Sequence, residues 1–121
     1  MDQERVSRRA IGDAGEREAE QYLVKLGAEM LRRNYTCRGG EIDLVARHEG
    51  VLLFVEVKLR ATNRFGTPGE AVNWTKRRRV CKAALHYIGH TGEMDAPMRF
   101  DVIEITPGGV KHIPGAFDYI E

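Results

Sequence analysis

Gly40-Glu41-Ile42-Asp43-Leu44-Val45, followed after a turn by Leu53-Phe54-Val55-Glu56-Val57-Lys58, reads as a β-hairpin that carries Asp43 on one strand and Glu56 and Lys58 on the next. Unpaired buried charge is costly, so charged positions on an otherwise apolar strand are candidates for function. Side chains alternate faces along a strand, which puts Glu56 and Lys58 on one side with Leu52 and Phe54. With Glu49-Gly50 as the turn, His48 faces Val51 and Asp43 falls opposite Glu56; a three-residue loop would set Asp43 against Val55 instead. Facing residues of an antiparallel pair have Cβ atoms about 4.5–5.5 Å apart. Two carboxylates that close repel unless a proton or a cation lies between them. A hard divalent ion such as Mg²⁺ suits such oxygen ligands. Lys58, one pair further along the same face, is then within reach of a phosphate oxygen or an attacking water.

The rest of the chain sets bounds on this reading. At 121 residues, with 31% charged and 42% hydrophobic residues, it is expected to form one globular domain over residues 1–121. No apolar run approaches the roughly 20 residues of a membrane span, and the polar opening Met1-Asp2-Gln3-Glu4-Arg5 lacks the apolar core of a signal peptide. Cys37 and Cys81 form neither a CxxC pair nor a disulfide framework, so a reducing cytoplasm is the expected location. The net charge of +1 favours no partner by itself. Its distribution is more informative. Between Val57 and Lys82, eight basic residues stand against Glu70 alone, which leaves the remainder net acidic. That lopsided segment starts at the proposed site and is suited to neutralising backbone phosphates, with Arg60, Arg64, Lys76 and Arg77 as the candidate nucleic-acid contacts; a solvated helix face is the alternative for the Lys76–Arg79 run.

Helical spacing of Ala19, Tyr22, Leu23 and Leu26 predicts a first helix over residues 7–26, stopped by Gly27. Strands are expected over 28–37, 41–48, 51–59, 98–105 and 110–113. Thr67-Pro68-Gly69-Glu70 has the form of a capping box that opens a short turn. A second main helix is expected over 75–90, with Trp74 packed into the joint before it (stacking against a base is the alternative), and residues 114–120 as a short terminal helix over one sheet edge. His86 and His90 have the spacing of a zinc pair but no third ligand, so they read as surface histidines. Asp101 reads as a salt-bridge partner of Arg99 or another basic group. Pattern alone gives an α/β or α+β class.

The spacing Asp43-x12-Glu56-x-Lys58 resembles the signature of the PD-(D/E)XK nucleases. Gly12-Asp13-Ala14-Gly15-Glu16, Arg33-Asn34-Tyr35, Gly39-Gly40-Glu41-Ile42-Asp43-Leu44, Phe54-Val55-Glu56-Val57-Lys58 and Arg99-Phe100-Asp101-Val102, in that order, are similar to the YraN family of predicted bacterial endonucleases, itself similar to archaeal Holliday-junction resolvases. The resemblance implies an α/β, restriction-endonuclease-like fold: an α-β-β-β-α-β core with a mixed sheet flanked by helices. It also implies metal-dependent endonucleolytic hydrolysis of DNA, including branched or structured DNA. On that pattern Asp43, Glu56, Lys58 and Glu16 are the catalytic set. Asp43, Glu56 and the Val57 carbonyl would hold Mg²⁺ or Mn²⁺, and Lys76 would border the cleft. Resolvase-like relatives imply a homodimer. The alternative readings are a nucleic-acid-binding protein of the same fold with little or no catalytic activity, and a scaffold in which Asp43, Glu56 and Lys58 form only a buried salt bridge.

Overall fold

The computed structural model of the protein describes residues 2–61 and 72–120. Helix α1 (Asp2–Leu26) starts earlier than the spacing predicts. It stops at Gly27, whose φ of 103° suits glycine. The Gly27 N–H donates to the Val24 carbonyl at 3.0 Å and the Ala28 N–H to the Leu23 carbonyl at 2.9 Å, the paired bonds of a Schellman stop. Strands β1 (Glu29–Cys37), β2 (Gly40–His48) and β3 (Val51–Leu59) follow as an antiparallel meander. Helix α2 (Trp74–Thr91) then crosses over the sheet, so that β4 (Met98–Thr106) runs parallel to β3 and β5 (Gly109–Phe117) returns antiparallel. The result is a mixed five-stranded sheet in the order β1-β2-β3-β4-β5, an α/β architecture.

The two helices cover opposite faces of this sheet. Ala19 and Leu23 of α1 pack on Leu44, Ala46, Leu53, Val55, Ile103 and Ile105. Val80, Ala83, Ala84, Tyr87 and Ile88 of α2 pack on Val45, Leu52, Phe54, Phe100 and Val102. Strand β3 is therefore buried on both faces until Glu56, as its nearly unbroken apolar sequence predicts. Helix α2 approaches β2 so closely that a Cβ on Gly40 would overlap the Arg79 carbonyl and lie 2.8 Å from the Ala83 nitrogen. Only glycine allows that contact, which brings the first turns of α2 against the start of β2.

Two expectations about the chain's later parts are corrected. No terminal helix covers the sheet edge; β5 instead continues as a strand to Phe117. Pro114 is tolerated because β5 is an edge strand, where one face of the backbone needs no ladder partner. The register shifts between Phe100 and Val102, where the Gly115 N–H donates 3.0 Å to the Asp101 side chain. Asp101 is fully buried and also takes two 2.8 Å bonds from Arg99 and one of 2.7 Å to His112. Burial pushes its carboxyl up, but the His112, Arg99 and Gly115 bonds and the Arg99 charge outweigh that and hold it at about 2. The expected Arg99–Asp101 pairing is present, and it anchors β5. Trp74, expected in the core joint, is 58% exposed, while Val72 fills the joint. The expected 67–70 turn and Arg64 lie outside the described residues.

Candidate active site

The β2–β3 turn decides where the charged side chains meet. Glu49 and Gly50 have φ of 50° and 80°, the left-handed pair of a two-residue hairpin connection. The ladder runs from His48 opposite Val51 to Leu44 opposite Val55 and stops one pair short of Asp43 and Glu56. Instead of completing that pair, the Asp43 carboxylate accepts a 2.8 Å hydrogen bond from the Val57 N–H. The strands part where two facing carboxylates would crowd each other. Face alternation also breaks at Asp43, since Ile42 and Val45 both join the α2-side core while Leu44 joins the α1 side. Across from this break Asn34 has φ 50°, a conformation asparagine tolerates better than most residues.

Glu56 and Lys58 follow Leu52 and Phe54 onto the α2 side of the sheet. Asp43, Glu56, Val57 and Lys58 line one cavity of about 430 Å³, closed on the helix side by Asn73 and Lys76. Glu56 is 5% exposed, and its Oε1 has no hydrogen-bond partner among the described residues. Burial first, then the charge of Asp43, push the Glu56 carboxyl up to about 8 against the pull of Lys76. Burial likewise raises Asp43, opposed by the Val57 N–H and Lys76. Lys58 is exposed at the cavity mouth.

Lys76 owes its place to the helix cap. Asn73 accepts the Lys76 N–H at 2.9 Å, which starts α2 there and turns the Lys76 side chain back over β2. Its Nζ lies 2.9 Å from Glu41 Oε1 and 3.6 Å from Glu56 Oε2. Burial works against its charge, but Glu41, Glu56 and Asp43 together raise its pKa. Sequence reading assigned Lys76 to the cleft and missed Glu41, although Glu41 stands two residues before Asp43 in the same motif.

The remaining expected residues are placed as follows. Glu16 does not line the Asp43 cavity. It borders a neighbouring cleft of about 440 Å³ with Asp13, Arg17, Arg33 and Asn34. Burial and the nearby charge of Asp43 raise its pKa, while a hydrogen bond from Asn34 opposes them. Arg33 is held by Glu20. Arg60 pairs with the buried Glu104 at 3.2 Å. Arg77 donates to the Val72 carbonyl at 2.9 Å and lies over the Phe117 ring, which fastens the start of α2. His86 and His90 are exposed with stacked rings, and His86 meets the Tyr35 hydroxyl. Among the described residues no three His, Cys, Asp or Glu side chains gather into a metal cage, and no helix is long and apolar enough to cross a membrane. A cation at Asp43 and Glu56 would therefore need backbone, water or phosphate oxygens to complete its shell.

The model of the uncharacterised protein family UPF0102 matches residues 15–105, a span that includes Glu16, Asp43, Glu56, Lys58 and Lys76. A UPF0102 protein of Symbiobacterium thermophilum is 48% identical over 100 residues, covering 83% of this chain and 85% of the relative. A UPF0102 protein of Geobacter metallireducens is 44% identical over 114 residues, covering 91% and 93%. Another, from Myxococcus xanthus, is 44% identical over 115 residues, covering 92% and 91%.

Proposed function

This chain belongs to the UPF0102 (YraN-type) family, and we propose that it is a metal-dependent endonuclease of the PD-(D/E)XK type acting on DNA. The observation that carries the reading is Glu56, a buried carboxylate beside Asp43 with one oxygen unpartnered among the described residues, at the wall of an open cavity that Lys58 also lines. The order of elements, α-β-β-β-α-β before the last strand, agrees with the core that the nuclease resemblance implies.

The donor set fits a hard divalent cation. Its side-chain members are carboxylates, with no thiol or imidazole among the residues lining the cavity, which suits Mg²⁺ or Mn²⁺ better than zinc. Asp43, Glu56 and the Val57 carbonyl are the residues that would hold it. When bound, such an ion supplies Lewis-acid stabilisation of the charge that develops on the phosphoryl oxygens. The chain's own groups do the rest. The Val57 N–H fixes the Asp43 carboxylate, and Lys76, tethered by Glu41, offsets part of the negative charge without entering a short pair with Glu56. Lys58, exposed at the cavity mouth, orients the attacking water or neutralises charge on the phosphate. Contacts of this kind address the backbone and carry little sequence information, so cleavage is expected to follow nucleic-acid shape.

The scaffold reading, in which Asp43, Glu56 and Lys58 form only a buried salt bridge, is disfavoured: Lys58 is exposed, and the cation beside Glu56 is Lys76, 3.6 Å away. An effective pair holds a carboxyl below its ordinary range, whereas Glu56 is pushed up to about 8. The test is cleavage of linear, flapped and four-way-junction DNA and of RNA, with Mg²⁺ or Mn²⁺, by the wild type and by Asp43→Ala, Glu56→Ala and Lys58→Ala. The wild type should cut at least one DNA, and each variant should lose about 10²–10⁴-fold, the range of a positioned catalytic group. If all four proteins cut equally, or none cuts, the assignment falls. A wild type that binds DNA without cutting it would favour the binding-module alternative.

A further inference from the structure

The first turns of α2 carry a second feature that the cleavage chemistry leaves unused. Lys76, Arg77, Arg78, Arg79 and Lys82 lie on one helix that contains no acidic residue. A helix N-terminus already bears partial positive charge and favours acids. Five cations added there raise a local potential that, among the described residues, Glu41 and Glu56 partly answer. Arg77 is committed to Val72 and Lys76 to the site, while Arg78 is half-buried and Arg79 and Lys82 are exposed. Gly39, Trp74, Thr75, Arg78, Arg79 and Lys82 line a cleft of about 270 Å³. Lys82 lies over Gly39, its Nζ 3.8 Å from where a Cβ would stand. The Arg78 guanidinium sits 4.9 Å from the Trp74 ring centre and covers one side of the indole, which is still 58% exposed. Trp74 is the bulkiest of the exposed hydrophobic side chains among the described residues, and it shares its cleft with Arg78, Arg79 and Lys82.

We propose that Trp74 is a stacking platform for an unpaired base of the nucleic-acid substrate, with Arg79 and Lys82 holding the adjoining backbone phosphates. The inference rests on the nuclease reading and deepens it, because it names single-stranded or flipped-out nucleotides as what the enzyme grips beside the cut. Charge selects the occupant: a polyanion complements the cations, and among polyanions a nucleic acid also offers a flat base to the indole. The cleft adjoins the site, since Glu41 Oε1 lies 2.9 Å from Lys76 in the cavity and 3.8 Å from Arg79 in the cleft. A strand gripped here continues past Glu41 toward Asp43 and Glu56. Base stacking tolerates any sequence, as phosphate contacts do.

Trp74 is the chain's only tryptophan, so its emission reports the cleft alone. The test titrates the full chain, with chelator and no divalent cation, with a fluorescein-free oligothymidylate of about 12 nucleotides and with a duplex of the same length. Labelled strands followed by anisotropy give the affinities in parallel. The single strand should quench Trp74 emission as it saturates. Trp74→Ala should weaken single-strand binding about 5- to 100-fold, the range of one lost base stack, and change duplex binding less than about twofold. Trp74→Phe should recover most of the loss. Arg79→Ala and Lys82→Ala should each flatten the salt dependence by about one phosphate contact. Thermal melts of the same variants should match wild type, because the indole is exposed. Tight binding with unchanged emission and equal affinity for Trp74→Ala would overturn this inference and leave the nuclease reading standing. Absence of binding to either strand would overturn this inference, and the cleavage panel with Mg²⁺ or Mn²⁺ decides the nuclease reading separately.

Discussion

Replacing Glu56 by glutamine should make the metal-free protein more stable while removing the proposed function. Glu56 is buried, Oε1 is unpartnered among the described residues, and the carboxyl sits at about 8 where 4.5 is ordinary. At pH 7 the unfolded chain releases the proton that the folded chain keeps. Over the roughly 2.5 pH units involved, that difference costs the fold about 3 kcal/mol. The sign follows from the direction of the shift. For a raised carboxyl the cost is absent below the unfolded pKa, grows as pH rises through the interval, and levels off above about 8. Glutamine keeps the shape and is neutral throughout, so Glu56→Gln should gain about 1–3 kcal/mol at pH 7, with the gap closing near pH 4.5. Urea unfolding followed by circular dichroism, with chelator present and at several pH values, measures it. A structural salt bridge makes the opposite demand: breaking a buried pair costs about 3–5 kcal/mol. A glutamine variant less stable at pH 7, or a gap that ignores pH, would refute the reasoning.

Asp101 gives the converse acid dependence. Its carboxyl is held at about 2 against an ordinary 3.8, so it contributes about 2 kcal/mol that is fully present above pH 4 and lost as pH falls toward 2. Asp101→Asn should remove that part of the acid transition and destabilise by about 3–5 kcal/mol at pH 7, by leaving Arg99 and His112 without their partner; denaturant melts between pH 2.5 and 7 read both. Gly40→Ala should cost about 1–3 kcal/mol or more, because the atoms it meets are α2 backbone that cannot rotate away. Gly15→Ala should cost little or stabilise, since a Cβ there meets only the Leu59 side chain, which is 38% exposed and free to swing, and alanine favours the helix by about 1 kcal/mol; the two variants compared in one melt separate backbone contact from side-chain contact.

What the sequence reveals here is mostly local. The apolar run of β3 and the Glu49-Gly50 turn were readable with their limits, and with them the convergence of Asp43, Glu56 and Lys58 on one cavity. Periodicity did not show that the ladder would end before Asp43, because the cause is a side chain capturing the Val57 N–H. The extension of β5 past Pro114 depends on Asp101, fourteen positions before Gly115, receiving the Gly115 N–H near a register shift. Charge clustering marked the basic segment but not its division of labour: Arg60 turns to Glu104, Arg77 to Val72 and Lys76 to Glu41. Each of those partners comes from a distant element or a backbone carbonyl, which spacing along the chain does not encode. The sequence favours joint packing over base stacking for Trp74, and the smaller Val72 takes the joint instead.

Mn²⁺ binding, followed by calorimetry or by the loss of the free-ion electron paramagnetic resonance signal, addresses the carboxylate pair itself. The wild type should bind the ion, with affinity rising as pH increases toward 8 and Glu56 gives up its proton. Asp43→Asn and Glu56→Gln should each weaken binding at least about tenfold while remaining folded. A wild type that ignores Mn²⁺, or variants that bind it as tightly as the parent, would contradict the assignment of Asp43 and Glu56 as a cation site.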